Sequence, residues 1–265
     1  MKRDAHIHSP YCPHGSNDGF ELYIEKAISE GIQDITFTEH APLPRGFIDP
    51  TPLQDSGMRQ ADVLPYIQEI TLLKEKYANQ IKIRVGFEVD FIEGFEQQTC
   101  TWLNEFGPLI DDAILSVHFL KYANEYVCID YSKDVFLEFS KKVGSVEQVY
   151  QLYYETVRQS IEADLGMYKP MRIGHPTLVH KFRLAHNENI DDHQQIIEIL
   201  HCIKEHDYEL DVNSAGYAKA FCQESYPPIP YIPISKNLQV KLIFGSDAHQ
   251  AKDLHQFAEK LVHLS

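Results

Sequence analysis

The chain has no run of about 20 apolar residues, the length that a membrane-spanning helix needs, so no membrane partner is expected for its 265 residues. The opening segment, Met1-Lys2-Arg3-Asp4-Ala5-His6, lacks the apolar stretch of a secretion signal, and a cytoplasmic location is the expectation. Five cysteines (Cys12, Cys100, Cys128, Cys202, Cys222) are scattered, odd in number and without a C-x-x-C pair. That pattern suggests neither a disulfide framework nor a zinc knuckle. Cationic residues are in deficit, 24 Lys and Arg against 39 Asp and Glu, and the formal charge of −15 repels a phosphate backbone. Nucleic acid is therefore not the expected partner. Repeats, low-complexity segments and linkers are absent as well.

What is present begins with enough apolar residue, 43%, to bury one large core. Strand-like and helix-like patterns alternate from end to end, the signature of repeated β/α units around a parallel sheet. Barrels of that kind commonly run to about 250 residues as one domain, so residues 1–265 are expected to form a single α/β barrel domain. Strands are read near 3–8, 32–38, 81–88, 110–117, 170–174, 208–213 and 240–246. The clearest helix is 146–165, where Val146, Val149, Tyr150, Tyr153, Val157, Ile161 and Leu165 share one face, Ser145 and Gln148 form a capping box, and Gly166 ends it. A second covers 192–206, with Asp192 and Gln195 in the same capping arrangement; others are read at 19–30, 62–78, 95–106 and 251–263. Four prolines between Pro227 and Pro233 imply an irregular loop after the sixth strand. Segments 41–60 and 119–144 are too long for plain connections and are read as lids over a site.

Barrel enzymes carry their chemistry at the C-terminal ends of the strands. Read in order, those ends hold His6 and His8, His40, Glu88, His118, His175, Asn213, and Asp247 with His249. His6-Ile7-His8 places two imidazoles on one strand face, and Asp247-Ala248-His249 repeats the spacing. The rigid turn Ser9-Pro10-Tyr11-Cys12-Pro13-His14-Gly15 can return His14 to the same place. Singly, each of these residues is more often a hydrogen-bonded or solvated side chain. Jointly, uncompensated imidazoles and carboxylates on one rim are costly unless cations bind them. Seven imidazoles and two carboxylates suit Zn, Mn or Fe, not the all-oxygen shells of Ca or Mg, and nine donors imply two or three ions.

The strings DAHIHSPYCPHG, FTEHAPLP, GFEVDF, LSVHF, IGHP and GSDAH, in this order over nearly the whole chain, resemble the polymerase and histidinol phosphatase (PHP) family. The run SPYCPHG followed by TFTEHAPLP is similar to its histidinol phosphate phosphatase branch. The resemblance implies a distorted, TIM-like barrel of seven β/α strands and a trinuclear site. It assigns His6, His8, Glu88 and Asp247 to a first ion, Glu88, His118 and His175 to a second, and His14, His40 and His249 to a third. The implied reaction is hydrolysis of L-histidinol phosphate, a small-molecule phosphate ester, in histidine biosynthesis.

The expected nucleophile is a water or hydroxide shared by two ions, with the third ion and a cationic side chain neutralising the phosphoryl oxygens. Arg183 is the first choice for that cation, because a guanidinium matches phosphate bidentately, and Arg45 is the second. Family members often carry Asn-Thr-Ser-Gly-Leu-Arg-Lys after the sixth strand, but this chain has Asn213-Ser214-Ala215-Gly216-Tyr217-Ala218-Lys219. Ala218 stands at the arginine position, leaving Lys219 as the substitute. Asp247 or His249 is expected to protonate the leaving group, and Asp49, Glu125 or Tyr126 to contact the rest of the substrate. The rival readings are a PHP phosphoesterase or nuclease acting on another phosphate ester, and a metal-binding protein without catalysis.

Overall fold

The computed structural model describes residues 2–261. Among them are nine strands: β1 (Arg3–Ile7), β2 (Asp34–His40), β3 (Lys82–Asp90), β4 (Asp112–Ser116), β5 (Phe119–Tyr122), β6 (Glu125–Cys128), β7 (Arg172–Ile173), β8 (Glu209–Asn213) and β9 (Lys241–Gly245). All but β5 and β6 pair in parallel, in the order β1-β2-β3-β4-β7-β8-β9. The residues just past β9 then turn back onto β1, where His8 donates to the Ala248 carbonyl at 2.9 Å and Asp247 to the His6 carbonyl at 2.8 Å. This bridging closes the curled sheet into a seven-stranded, TIM-like barrel.

The α-helices are α1 (Phe20–Ser29), α2 (Val63–Lys76), α3 (Glu96–Phe106), α4 (Lys133–Val143), α5 (Val146–Glu162), α6 (His193–Glu205), α7 (Tyr231–Asn237) and α8 (Ala258–Leu261), joined by five short 3-10 helices that include Leu178–Phe182. Strands covered by helices outside and by side chains inside have both faces buried, which is why β3 is buried almost throughout. α5 lays Val149, Tyr150, Tyr153, Val157 and Ile161 on the core, and the Ser145 hydroxyl accepts from the Gln148 N–H at 3.1 Å. The lower lumen, at the N-terminal ends of the strands, is closed by Arg–Asp ion pairs. Asp112 takes Arg3 at 2.6 Å and the fully buried Arg172 at 3.1 Å, and Arg84 pairs with Asp34 at 2.9 Å.

Several expectations need correction. The segment 119–144 is the β5–β6 hairpin followed by α4, because Lys121 and Tyr126, and Phe119 and Cys128, pair across a two-residue turn at Ala123-Asn124, both at positive φ. Helix 146–165 ends at Glu162; Lys169 bonds the Ile161 and Ala163 carbonyls there, and Gly166, at φ 81°, turns the chain four residues later. The proline-rich connection after β8 contains α7, which starts where Pro230 supplies a helical φ. The last helix is reduced to α8, and residues 262–263 of the expected segment lie outside the described residues. Asp192 does not cap α6 with its side chain; its carboxylate binds His180 at 2.6 Å and Tyr154. The strand expected at 170–174 shrinks to Arg172–Ile173.

Candidate metal centre

At the upper mouth of the barrel, the strand ends bring Glu88 to the middle of a ring of imidazoles. Its Oε1 lies 2.8 Å from His175 Nε2 and 3.8 Å from His118 Nε2, while its Oε2 lies 3.2 Å from His40 Nδ1, 3.3 Å from His6 Nε2 and 3.5 Å from His8 Nε2. One carboxylate thus addresses two groups of imidazoles with different oxygens. Asp247 Oδ1 joins the second group, 3.0 Å from His8 Nε2 and 3.8 Å from His6 Nε2.

Most of the rings are aimed from behind. Nδ1 of His6 bonds Asp211 at 2.9 Å, that of His8 bonds Glu39 at 3.2 Å, and that of His118 bonds Asp90 at 2.7 Å. Nδ1 of His14 bonds the Asp55 carbonyl at 2.9 Å, and that of His249 the Asp247 carbonyl at 3.0 Å. Acceptors on that side require the proton on Nδ1 of a neutral ring, which leaves the Nε2 lone pair for the cavity. Nε2 of His6 and His8, Nδ1 of His175 and both nitrogens of His40 are buried without a hydrogen-bond partner among the described residues. Buried lone pairs that face one another cannot satisfy each other, whereas a divalent cation between them can. The donors fall into three metal-sized groups: His6, His8 and Asp247; Glu88, His118 and His175; and His8, Cys12, His40 and His249.

The backbone bends to make this arrangement. His175 (φ 23°) and Asp247 (φ 52°) are both left-handed, at a cost of about 1–3 kcal/mol each that the surrounding fold must offset. Gly245 at the end of β9 is needed for close approach, since a Cβ there would lie 2.5 Å from both Asp211 Oδ1 and His6 Cβ.

The electrostatics favour positive charge in the cavity. Burial pushes the Glu88 carboxyl up, but the facing His6, His40 and His118 outweigh it and hold the group well below the usual carboxylate range. Asp247 is likewise held far down, by His6 and His8 against burial. Burial disfavours charge on His6 and His118, yet Glu88 and Asp211 around the first, and Asp90 beside the second, raise each to about 10. Burial and the neighbouring imidazoles keep His40 and His249 well below their ordinary value.

Above the donors opens a cavity of about 510 Å³, of the size that takes a small molecule. The two suspected lids contribute to its wall: Leu53, Asp55 and Ser56 from one, Asp130 and Tyr131 from the other. Lys219 lines it as expected. Arg183 does not; its Nε donates to the Cys222 carbonyl at 2.8 Å and meets Glu224 at 3.1 Å, because the turn of 3-10 helix that carries it points it away from the mouth. Arg45 is exposed and outside the lining, in a loop that bends away at Gly46. Asp49 is spent on the Thr51 and Ser56 amides, Glu125 pairs with Lys142, and Tyr126 bonds the Glu93 carbonyl. None of the three lines the cavity.

Sequence reasoning passed over Lys181, which lines the cavity and pairs with Asp130 at 2.8 Å. It also passed over the orienting carboxylates Glu39, Asp90 and Asp211. Asp90 carried a signal, two residues beyond Glu88 on the same strand face; Glu39 points opposite to its neighbour His40 and carried none. Cys12, buried beside His8 and His40, reads in the sequence only as one of five scattered thiols that the nine-donor count does not require.

A parallel barrel whose mouth gathers imidazoles around a shared carboxylate defines a class, the barrel hydrolases with metal-capable clusters of His, Asp and Glu. Within that class the chain belongs to the PHP domain family, whose model matches residues 4–215. Asp247 and His249 lie beyond the matched residues and enter the site through the closure of β9 on β1. A histidinol-phosphatase of Bacillus subtilis (strain 168) is 47% identical over 256 residues, 96% of each chain. A solved structure from Listeria monocytogenes superposes with a TM-score of 0.92 at 37% identity, over 98% of this chain and 99% of that one. The histidinol phosphate phosphatase of Lactococcus lactis, solved with Zn, L-histidinol and phosphate, shares the fold at a TM-score of 0.75 and 19% identity, over 100% and 94% of the two chains.

Proposed function

We propose that this protein is a histidinol-phosphatase that hydrolyses L-histidinol phosphate to L-histidinol and phosphate, the role in histidine biosynthesis that its Bacillus subtilis relative's name carries. The observation that carries the hydrolase reading is the Glu88 carboxylate divided between two groups of imidazoles at the floor of a closed-ended cavity. The choice of substrate follows the relative that is 47% identical from end to end.

Three ions would suit these donors: by the family pattern, His6, His8, Glu88 and Asp247 would hold one, Glu88, His118 and His175 a second, and His14, His40 and His249 a third, where the structure's own metal-sized group has His8 and Cys12 in place of His14. Zn, Mn or Fe suits this nitrogen-rich set. Such ions supply Lewis acidity toward a phosphoryl oxygen and lower the pKa of a coordinated water. The chain's own residues do the rest. Asp211, Glu39 and Asp90 fix the imidazole tautomers. Lys181 and Lys219, both on the cavity wall, supply the cationic contacts to phosphate that Arg183 and Arg45 do not reach. The Asp247–His249 pair stands closest to the role of protonating the leaving oxygen. Asp55 and Asp253, also on the wall, suit the cationic amine and imidazole of histidinol. The whole chain acts as one barrel domain, and its free thiols suit the cytoplasm.

The test is turnover of a panel of phosphate monoesters, with single-stranded DNA included, by protein of measured metal content. Histidinol phosphate should lead in kcat/KM by about a hundredfold or more, a margin that contacts to its amine and imidazole can supply. Equal turnover of unrelated monoesters removes the substrate assignment, and preferred cleavage of DNA replaces it with a nuclease.

A further inference from the structure

Cys12 sits in the turn between β1 and α1, buried to 6% exposure. Its amide donates to the Ser9 carbonyl at 3.0 Å and its carbonyl accepts from Gly15 at 3.2 Å, a closed turn that holds the thiol inward. Gly15 makes room for it, since a Cβ there would come within 2.9 Å of Cys12 Cβ. One donor atom from each of Cys12, His8, His40 and His249 lies within 4.8 Å of all the others. An independent observation points to the same place: both nitrogens of the buried His40 lack hydrogen-bond partners among the described residues. The other sulfurs are placed differently. Cys128 bonds Asp130 at 3.2 Å and Cys222 the Glu224 carbonyl at 3.7 Å, and neither belongs to a metal-sized group.

We infer that the Cys12 thiolate is a ligand of the third ion, joining His40 and His249, with which it forms a metal-sized group, and the His14 that the three-ion reading assigns there, in a mixed sulfur and nitrogen donor set. This rests on the three-ion reading of the site. Four donors of this kind make the number and type that a tetrahedral zinc shell takes. A soft thiolate also selects zinc over manganese or magnesium, so the third position should discriminate among metals where the other two do not.

The test uses protein stripped of metal and reloaded with Co(II). Wild type should take up three equivalents, and one of them should bring a near-ultraviolet thiolate-to-cobalt charge-transfer band. Cys12→Ser should lose that band and bind the third equivalent about 10–100-fold more weakly. Three equivalents without the band, or a band that survives in Cys12→Ser, overturns the assignment and leaves the three-ion reading standing. Fewer than three equivalents overturns both. X-ray absorption of the zinc-loaded wild type needs no variant: a sulfur shell at about 2.3 Å supports the assignment, and nitrogen and oxygen shells alone overturn it.

Discussion

The two ends of the barrel are both full of ionisable side chains, and they are organised in opposite ways. At the lower end the charges alternate in sheet order, Arg3 on β1, Asp34 on β2, Arg84 on β3, Asp112 on β4 and Arg172 on β7, so that each arginine meets a carboxylate across the lumen, with Asp112 shared by Arg3 and Arg172. At the upper end, carboxylates and imidazoles meet with no arginine or lysine among the donors; buried nitrogens without a hydrogen-bond partner occur at both ends, on Arg3 and Arg172 below and on His6, His8 and His40 above, but only the upper ones belong to groups of donors close enough to share a cation. Arginines locked onto carboxylates close a structure. Lone-pair donors gathered without a cation of their own define a place for something else.

Glu88→Gln attacks the upper end where the two imidazole groups meet. Losing the shared charge should lower kcat by about a thousandfold or more, because several kcal/mol of metal-borne charge stabilisation depend on it. Steady-state kinetics alongside metal analysis will show whether bound ions fall with the rate. An activity within tenfold of wild type would mean that Glu88 does not hold the site together.

At the lower end the expected result is reversed. Asp112→Ala leaves Arg172 buried without its carboxylate and should cost about 3–5 kcal/mol of stability, read by denaturant unfolding. Metal content and kcat of the folded fraction should not change. A selective loss of metal in this variant would erase the distinction between the two ends.

Asp90→Asn probes a residue that touches the site only through His118. Losing its carboxylate should weaken metal binding by about 10–100-fold while the fold persists, measured by competition with a chelator. Unchanged affinity would reduce Asp90 to a structural partner of the ring.

The smallest effect belongs to another ion-paired cluster, where His180 is held between Asp192 at 2.6 Å and Glu224 at 2.7 Å. Burial lowers the His180 pKa, but those two carboxylates outweigh it and raise it above the ordinary 6.5. The imidazolium's contribution to stability is therefore complete below about pH 6.5 and disappears as the pH rises through the raised value. Asp192, held low by His180 and Tyr154 against burial, contributes above its ordinary value and loses that only as the pH falls through the lowered one. His180→Gln should cost about 1–3 kcal/mol near neutrality and less in alkali, seen as melting curves that converge toward high pH. A pH-independent difference between the two proteins would show that the cluster holds by packing, not by charge.

The barrel was legible because parallel strands buried on both faces print as near-continuous apolar runs, and because the last residue of each run is where a barrel presents polar groups. His6, His8, Glu88, His118 and His175 could be found on that rule alone. Arg183 was misjudged because an arginine close to a ligand in sequence says nothing about which way a turn of 3-10 helix points it, and the Cys222 carbonyl and Glu224 that capture it come from about 40 residues further on. Lys181, two residues earlier on the same turn, faces the cavity. The hairpin in 119–144 was missed because its two strands, four residues each, are too short to show an alternation.

By itself the sequence determined the strand ends and the chemistry of the residues at them, since side-chain alternation and apolar runs are local properties that survive without any partner in space. Tertiary structure alone decided which of those residues share a cation, because Glu88 acquires two faces only when β1 and β2 stand on one side of it and the residues following β4 and β7 on the other. The same closure brought Cys12 beside His40 and turned Arg183 away, outcomes that depend on contacts between segments too far apart in the chain for any local pattern to record.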